Sequence, residues 1–404
     1  MIIKIKQFGY IPILGIASLL SMFKSIIFAK VLDVQDFGLI SSIFLVSSTV
    51  AIISSLGSNI YAQKMLPVMY HNHNTENAFI MNLDVSLITI ITSSFLIFSY
   101  PLIHLFTGLS FYAYILSVAH SLSLQLFLIF QTSKRSKLQL FTYSISLLGR
   151  SFCSTLFAWG VIKLGGGIYQ AILTEIVCNT FFVLLVYLDE KVVIKQHIFD
   201  WNRIAQVSKK SIPLLLASLL MYITSNVDRW FGVNFLSKTG YGELSFLMIF
   251  ITAALSVQAL LNAGLFPQLS RLHSESSLDA LKFTRKFSLS LLVITLLLSF
   301  SLLLPIKYMV LKFFPHYGHL VHLIPVILIA ACFKVSDFWG SLLLLKRSRL
   351  LLISQCVSLI IVFICFASGF VFMGKDVGSL IYLTSFISGV CYFLNMAFCT
   401  YKFN

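Results

Sequence analysis

Charged side chains are scarce in this chain. They make up 11% of the 404 residues, whereas apolar residues make up 58%. Soluble domains carry about 25% charged residues, because water solvates most of their surface. A chain this poor in charge needs lipid as part of its solvent. The shortage excludes a sizeable soluble domain and predicts a single membrane domain.

Acidic residues are fewer still, at 14 Asp and Glu against 29 Lys and Arg, which gives a formal net charge of +15. In a soluble protein this excess would favour nucleic-acid binding. Here the basic residues lie in short clusters between apolar runs, which suits anionic lipid headgroups better. We therefore expect membrane lipids as partners and no nucleic acid.

Motifs for metals, disulfides and nucleotides are also missing. The seven cysteines form no CxxC pair and lie inside apolar runs, which indicates packing thiols. Gly165–Gly167 lacks the following Lys-Ser/Thr of a phosphate-binding loop and predicts a tight turn. His316, His319 and His322 have a spacing that could suit a metal, but no Cys or acid lies nearby in sequence. We expect no metal, no cofactor and no catalytic residue.

Long apolar runs fill the chain. A transmembrane helix needs about 20 mainly apolar residues. Lys4 and Lys6 precede the first run, which is as long as a full span and lacks a clear cleavage site, so it predicts a helix rather than a signal peptide. Twelve helices are predicted near 10–32, 38–60, 79–103, 111–131, 138–162, 168–188, 211–236, 243–266, 287–312, 320–345, 350–372 and 377–400.

The basic residues predict the orientation of these helices. With both termini in the cytoplasm, about 19 Lys and Arg lie on the inner side and about 6 on the outer side, as the positive-inside rule requires. Loops at 104–110 and 312–319 are then outside. We predict an N-terminal six-helix bundle at 1–188, a cytoplasmic linker at 189–210 and a C-terminal six-helix bundle at 211–404.

The two halves resemble one another. Ala17–Leu20 reads ASLL and recurs as Ala217–Leu220, and each copy follows a proline. Phe37-Gly38 at the start of the second span echoes Tyr241-Gly242 at the start of the eighth. Six helices return the chain to its starting side, so we expect parallel repeats with pseudo-twofold symmetry about the membrane normal.

Two short stretches carry a family resemblance. Ala29–Leu39 reads AKVLDVQDFGL and resembles the turn between the first two helices of polysaccharide-export proteins. Asp228-Arg229, followed by TGYG at Thr239–Gly242, is similar to the matching turn of the second half. With twelve helices in two repeats, the chain resembles the Wzx-type O-antigen and capsule flippases of the MOP exporter superfamily. That superfamily also contains the lipid II flippases and the MATE drug exporters.

The resemblance implies an all-α, MATE-like pair of six-helix bundles in a V shape, with a central cavity that opens alternately to each side. It implies transport rather than enzymatic chemistry. The implied cargo is an undecaprenyl-pyrophosphate-linked oligosaccharide, moved from the inner to the outer leaflet of the bacterial inner membrane. A polysaccharide polymerase and a chain-length regulator of O-antigen and lipopolysaccharide synthesis are the further partners that it implies.

Charges inside the predicted helices are the candidate site residues, since each costs about 2.5–3.5 kcal/mol to insert. A diphosphate crossing the bilayer needs cations in a wet cavity. The candidate substrate-binding cations are Lys24, Arg150, Arg229 and Lys334. The candidate coupling or cavity acids are Asp84, Glu175, Asp228 and Asp337.

Lys24 is the strongest candidate, because it lies near the middle of the first span with no acid within four residues. Arg150 and Glu175 also lack an obvious local partner. Three interpretations stay open beside a cargo role: Lys334 and Asp337 neutralise each other, Arg229 snorkels outward, and Asp84 faces interfacial water.

Two other functions remain open. A MATE-like exporter of small molecules would prefer acids over cations in its cavity, whereas here the two are balanced. A membrane polysaccharide polymerase or glycosyltransferase usually carries a large outer loop or a soluble domain, and the predicted outer loops are short.

Overall fold

A computed structural model describes residues 10–189, 200–346 and 348–401, and within these ranges the regular structure is helical. Two 3₁₀ segments, Ile97–Ser99 and Pro315–Leu323, join some of the α-helices. The helices before the predicted linker are α1 Tyr10–Val31, α2 Val34–Ser54, α3 Ser58–His71, α4 Thr75–Leu96, α5 Tyr100–Thr107, α6 Phe111–Ser136, α7 Leu140–Lys163 and α8 Ile168–Leu188. Those after it are α9 Trp201–Phe235, α10 Lys238–Glu275, α11 Ser277–Phe313, α12 Ile324–Ser336, α13 Trp339–Lys346, α14 Ser348–Met373 and α15 Val377–Tyr401.

Twelve stretches of the described chain are long and apolar enough to cross a membrane, which confirms the predicted helix number. Many large apolar side chains point away from the protein, such as Phe98, Phe300 and Phe372, which are 81%, 81% and 86% exposed. Water would make this surface unfavourable, and lipid covers it instead. The chain is a multi-pass membrane protein.

Two helices begin about ten residues before their predicted apolar runs. α9 begins at Trp201 rather than near 211, because Asp200 accepts a hydrogen bond from the backbone N–H of Asn202 at 2.9 Å. α11 begins at Ser277 rather than near 287, with the Ser276 hydroxyl accepting from the backbone N–H of Asp279. Residues 277–286 are therefore part of α11.

The tenth predicted helix, 320–345, is not continuous. It consists of the second 3₁₀ segment, α12 and α13, with a break at Asp337 and Phe338. The Gln258 side chain donates to the freed carbonyl of Asp337, and the Asp337 carboxylate accepts from the backbone N–H of Trp339 at 3.3 Å. A break inside a span is tolerated because these groups satisfy the exposed backbone.

The described residues form two compact units. Unit one contains the chain up to Lys24 together with Ile40–Tyr222, and unit two contains Ser25–Leu39 together with the chain from Ile223 onward. The predicted bundles, 1–188 and 211–404, differ from these units in where 25–39 and 211–222 fall. Residues 190–199 of the predicted linker, the first nine residues with Lys4 and Lys6, and the last three residues lie outside the described ranges.

Each unit has its own buried core. In unit one, Phe79 of α4, Phe127 of α6 and Val186 of α8 pack together, each 5% exposed or less. In unit two, Trp339 of α13 and Tyr392 of α15 are almost completely buried in one cluster. These large apolar side chains hold the helices that carry the ionisable residues described below.

Glycines of the two turn motifs touch each other within unit two. A Cβ on Gly242 would lie 1.9 Å from the carbonyl oxygen of Val34, and one on Gly38 would lie 2.6 Å from that of Lys238. Any side chain at these positions would collide with backbone. The crossing of α2 and α10 therefore supplies a physical reason for glycine at both motif positions.

Candidate functional site

Lys24 of α1 forms an ion pair with Glu175 of α8 inside unit one. The Lys24 Nζ lies 2.6 Å from the Glu175 Oε2, and the two side chains are 17% and 3% exposed. The ammonium also lies 5.1 Å from the centre of the Phe44 ring. Neither residue has an opposite charge nearby along the chain. The structure pairs them across 151 positions, so each has a distant partner that local sequence does not reveal.

His120 of α6 completes this polar cluster, which we define as Lys24, Ser47, His120 and Glu175. The His120 Nε2 lies 3.3 Å from the same Glu175 Oε2, and its Nδ1 lies 2.8 Å from the Ser47 hydroxyl. The other carboxylate oxygen, Oε1, is buried and has no hydrogen-bond partner among the described residues. One oxygen of Glu175 therefore faces both an ammonium and an imidazole.

Sequence reasoning missed His120 because it counted only Lys, Arg, Asp and Glu inside the spans. A signal was present, since His120 lies well inside an apolar run and histidine is also a rare, ionisable residue in membranes. Its side chain is 9% exposed. Counting histidines would have added it to the candidates.

Arg150 of α7 lies beside the cluster. Its Nη1 donates to the Asn179 side-chain oxygen at 3.2 Å, and its guanidinium lies 5.1 Å from the centre of the Phe127 ring. Asn179 is one turn after Glu175 on α8 and also donates to the Ser123 hydroxyl. The Arg150 Nε is buried without a hydrogen-bond partner in the described ranges. Arg150 is thus held by a neutral amide and keeps its positive charge uncompensated by direct contact.

Asp84 does not face interfacial water, because its side chain is only 3% exposed. Its two oxygens accept from Arg203 Nε at 2.6 Å and Nη2 at 2.9 Å. Such bidentate pairs are the strongest kind of side-chain ion pair. Arg203 belongs to the first turn of α9, which was predicted as linker. The pair fastens α9 to α4 within unit one.

Asp228 and Arg229 lie on α9 within unit two. The Asp228 carboxylate accepts from the Arg229 backbone N–H at 2.8 Å and from the Thr384 hydroxyl at 3.4 Å. The Arg229 guanidinium donates to the Thr252 hydroxyl at 2.8 Å. In the part of the chain that the structure describes, neither side chain forms an ion pair. Arg229 therefore has a direct partner within the protein, Thr252 of α10. The alternative interpretation was that the Arg229 side chain snorkels outward.

Asp337 lies at the break between α12 and α13. Besides capping Trp339, it accepts from the side chain of Asn395 at 2.9 Å. Lys334, three residues earlier, forms no ion pair with any described residue. Lys334 and Asp337 are therefore not in direct contact, although the charge of Lys334 still acts on the Asp337 carboxylate. The helix break turns Asp337 toward neutral donors instead.

One of the three closely spaced histidines has an acid nearby in space. His319 Nε2 lies 3.0 Å from Glu243 Oε1 of α10, and the two side chains are 57% and 19% exposed. Within 10–189, 200–346 and 348–401, no three His, Cys, Asp or Glu side chains are grouped so that they could hold a metal ion.

Known proteins show similarity to this chain at the level of the fold. No family model and no curated protein sequence matches. The lipid II flippase MurJ, in an inward closed conformation, matches with a TM-score of 0.67 at 13% identity, over 98% of this chain and 87% of that one. A point mutant of the Vibrio cholerae MATE transporter VcmN matches with a TM-score of 0.66 at 11% identity, over 97% and 95%.

An inward-facing multidrug-resistance MATE transporter of the MOP superfamily also matches, with a TM-score of 0.64 at 12% identity over 96% of this chain and 94% of that one. These structures are transporters and flippases rather than enzymes. The predicted fold class, an all-α MATE-like membrane protein, is confirmed.

Proposed function

We propose that this protein is a flippase for an undecaprenyl-pyrophosphate-linked oligosaccharide, the repeat unit of an O-antigen or capsule. It moves this lipid from the inner to the outer leaflet of the bacterial inner membrane by alternating access, with both termini in the cytoplasm. The fold that it shares with a lipid II flippase supports transport of a lipid-linked cargo. The turn motifs at Ala29–Leu39 and Asp228–Gly242 support the polysaccharide branch.

The observation that carries this proposal is the polar cluster with Arg150 beside it. Two cations, Lys24 and Arg150, lie inside apolar helices of one unit, where their insertion is costly. Arg150 is held by a neutral amide, and Lys24 by a single carboxylate oxygen. A diphosphate is a stronger, multivalent acceptor for ammonium and guanidinium groups than one carboxylate is. The ion pair with Glu175 holds Lys24 neutralised until cargo arrives.

The remaining candidates take secondary roles in this proposal. Arg229 and Lys334 are further cations for the headgroup. Asp84, Glu175, Asp228 and Asp337 orient these cations or bind a coupling ion. A polysaccharide polymerase and a chain-length regulator act on the product in the outer leaflet.

Complementation tests the proposal most directly. The gene is expressed in a strain that lacks its polysaccharide flippase, and the lipid-linked sugar that accumulates there is identified by mass spectrometry. We expect surface polysaccharide to return and the accumulated intermediate to fall. Failure across strains that accumulate different repeat units, with normal amounts of protein in the membrane, would contradict the proposal. A reporter fused to the C-terminus tests the topology and should be active only in the cytoplasm.

A MATE-like exporter of small cations is the second candidate. It is favoured by Asp228 and Asp337, which are buried acids held by neutral donors rather than by cations. An acid of this kind has no cation in direct contact and could bind a cationic substrate. Extrusion of a cationic dye by cells that express the protein, together with failed complementation, would favour this candidate over the flippase.

A further inference from the structure

We infer that binding of an anion at Lys24 is accompanied by uptake of one proton, which is held between His120 and Glu175. The inference rests on the proposed function, because it takes the diphosphate headgroup as the anion. It adds a proton-binding site to the cluster and a linkage between that site and the cargo.

The geometry provides the reason. The Glu175 Oε2 is shared between the Lys24 Nζ at 2.6 Å and the His120 Nε2 at 3.3 Å, while Oε1 has no partner in the described chain. When an anion binds Lys24, the carboxylate loses the closer of its two basic partners. Within hydrogen-bond distance, only the imidazole then remains.

Burial decides what happens next. The Glu175 side chain is 3% exposed, and an unpaired carboxylate at this depth is strongly unfavourable. A proton on His120 creates an imidazolium–carboxylate pair, and a proton on Glu175 creates a neutral acid. Either form removes the unpaired charge. The proton comes from solvent, and only an N–H or O–H bond forms, so one proton enters with each anion.

Other groups around Glu175 do not remove the need for this proton. Arg150 of α7 interacts with the Glu175 charge but donates its hydrogen bond to Asn179. Cys178, one turn along α8, would add negative charge if it ionised. From α2, Ser47 contributes a neutral hydroxyl to the far side of His120, where it can accept a hydrogen bond from the Nδ1–H of an imidazolium.

The linkage makes the affinity for the anion depend on pH. If one proton is bound with each anion, the affinity changes by at most about tenfold per pH unit, and it rises as the pH falls. A cluster with only a structural role would show no such dependence.

Calorimetry of the purified full chain tests the inference. The probe is a short-chain prenyl-pyrophosphoryl sugar, whose phosphates are both esterified and keep a constant charge near neutral pH. Titrations in two buffers with different heats of ionisation measure the protons taken up on binding. We expect about one proton for the wild-type protein, since each anion displaces one carboxylate from Lys24. We expect none for Glu175→Gln, whose affinity should be almost independent of pH.

His120→Gln provides a second variant in case Glu175→Gln does not fold. It should shift the pH range of proton uptake, because the proton then has only the carboxyl group. His104→Gln is the matched control, since His104 is exposed on α5 and should leave the uptake unchanged. Binding by the wild-type protein without proton uptake would overturn the inference and leave the flippase proposal intact. Absence of binding at every pH would overturn both.

Discussion

The two units hold their buried acids in different ways. In unit one, Asp84 and Glu175 each contact a cation from a distant helix, Arg203 and Lys24 respectively. In unit two, Asp228 and Asp337 accept hydrogen bonds from backbone N–H groups, a hydroxyl and an amide. A buried ion pair is stable only with excellent geometry, and it becomes very unfavourable when one partner leaves.

This difference favours separate roles for the two units. An ion pair in unit one is neutral at rest and responds to an incoming anion, because the anion can replace the carboxylate on its cation. A carboxylate in unit two that is oriented by neutral donors has no directly contacting cation to displace, so it suits a proton or a metal cation. We therefore associate unit one with the cargo headgroup and the proton linked to it, and unit two with a further coupling ion, as parts of the proposed function.

Removal of the Lys24–Glu175 pair should have the largest effect. Lys24→Met alone leaves Glu175 as an unpaired buried charge and should destabilise the protein by about 3–5 kcal/mol. The double variant Lys24→Met/Glu175→Gln removes both charges, so its thermal stability should recover. Surface polysaccharide in a complemented flippase-deficient strain should still be absent for the double variant, because the cation is missing.

Lys30→Met is the matched control for this experiment, since Lys30 is exposed on the same helix and should tolerate the change. Lys24→Arg should retain part of the activity, because it keeps the positive charge. Normal transport by the double variant would show that the pair has only a structural role and would remove the contrast between the units.

Breaking the Asp84–Arg203 pair should have the second-largest effect on stability. The cost should differ between the two single variants. Arg203→Gln leaves a carboxylate that is 3% exposed and should lower the free energy of unfolding by about 3–5 kcal/mol. Asp84→Asn leaves a guanidinium that is 31% exposed and can reach water, so its cost should be about 1–3 kcal/mol.

Thermal unfolding in detergent measures the stability of both single variants and of the double variant Asp84→Asn/Arg203→Gln. The double variant should recover most of the lost stability. The reverse order of stability would mean that the pair is not the contact that fastens α9 to α4.

Replacing a glycine that touches another backbone segment should lower stability by a smaller amount. The two units differ in what such a replacement meets. Gly242→Ala in unit two meets the Val34 carbonyl at 1.9 Å and should cost on the order of 1–3 kcal/mol through overpacking. Gly57→Ala in unit one meets the Ser211 carbonyl at 2.4 Å and also forces alanine to a φ of +75°, so it should cost more.

Gly160→Ala is the control for these two variants, because nothing lies within 4 Å of its Cβ position. Within α7 it should be neutral or slightly stabilising, by about 1 kcal/mol at most. Equal melting temperatures for all three variants would contradict the close backbone contacts.

Neutral replacement of the unit-two acids should affect stability least. Asp228→Asn and Asp337→Asn keep one oxygen acceptor, and the new amide NH2 replaces the second acceptor with a donor. The Thr384 hydroxyl can accept from this NH2, and so can the Asn395 Oδ1 once the Asn395 amide turns over, so the melting temperature should change by only a few degrees. If these acids only orient nearby groups, asparagine should weaken transport less than charge reversal to lysine does.

Equal and complete loss of transport in both kinds of variant, at normal protein levels, would show that the carboxylates themselves are needed, as a coupling-ion site requires. A large fall in stability for Asp337→Asn would instead show that this acid is fixed by a cation. Unit two would then resemble unit one.

The ends of helices show where sequence reasoning succeeded and where it stopped. Hydropathy located twelve spans, because the thickness of the bilayer sets the length of each apolar run. It misplaced the starts of α9 and α11, since their first turns are polar and amphipathic. Local caps at Asp200 and Ser276 start these helices, and capping geometry is independent of hydropathy.

The ionisable residues show which features of the candidate site could be predicted from the sequence and which could not. The composition of each span identified Lys24, Arg150, Asp84 and Glu175 as unusual, because the insertion cost of a charge depends only on local sequence. It could not identify their partners. Glu175 is 151 positions from Lys24, and Arg203 is 119 positions from Asp84.

The sequence by itself thus determined that this is a membrane protein of about twelve helices and which charges lie inside them. Both properties follow from the local balance between side chains and lipid. The tertiary structure alone decided that Lys24 is paired, that His120 shares its carboxylate, and that the chain breaks at Asp337. These features depend on how helices far apart in sequence pack within each unit, which local composition does not encode.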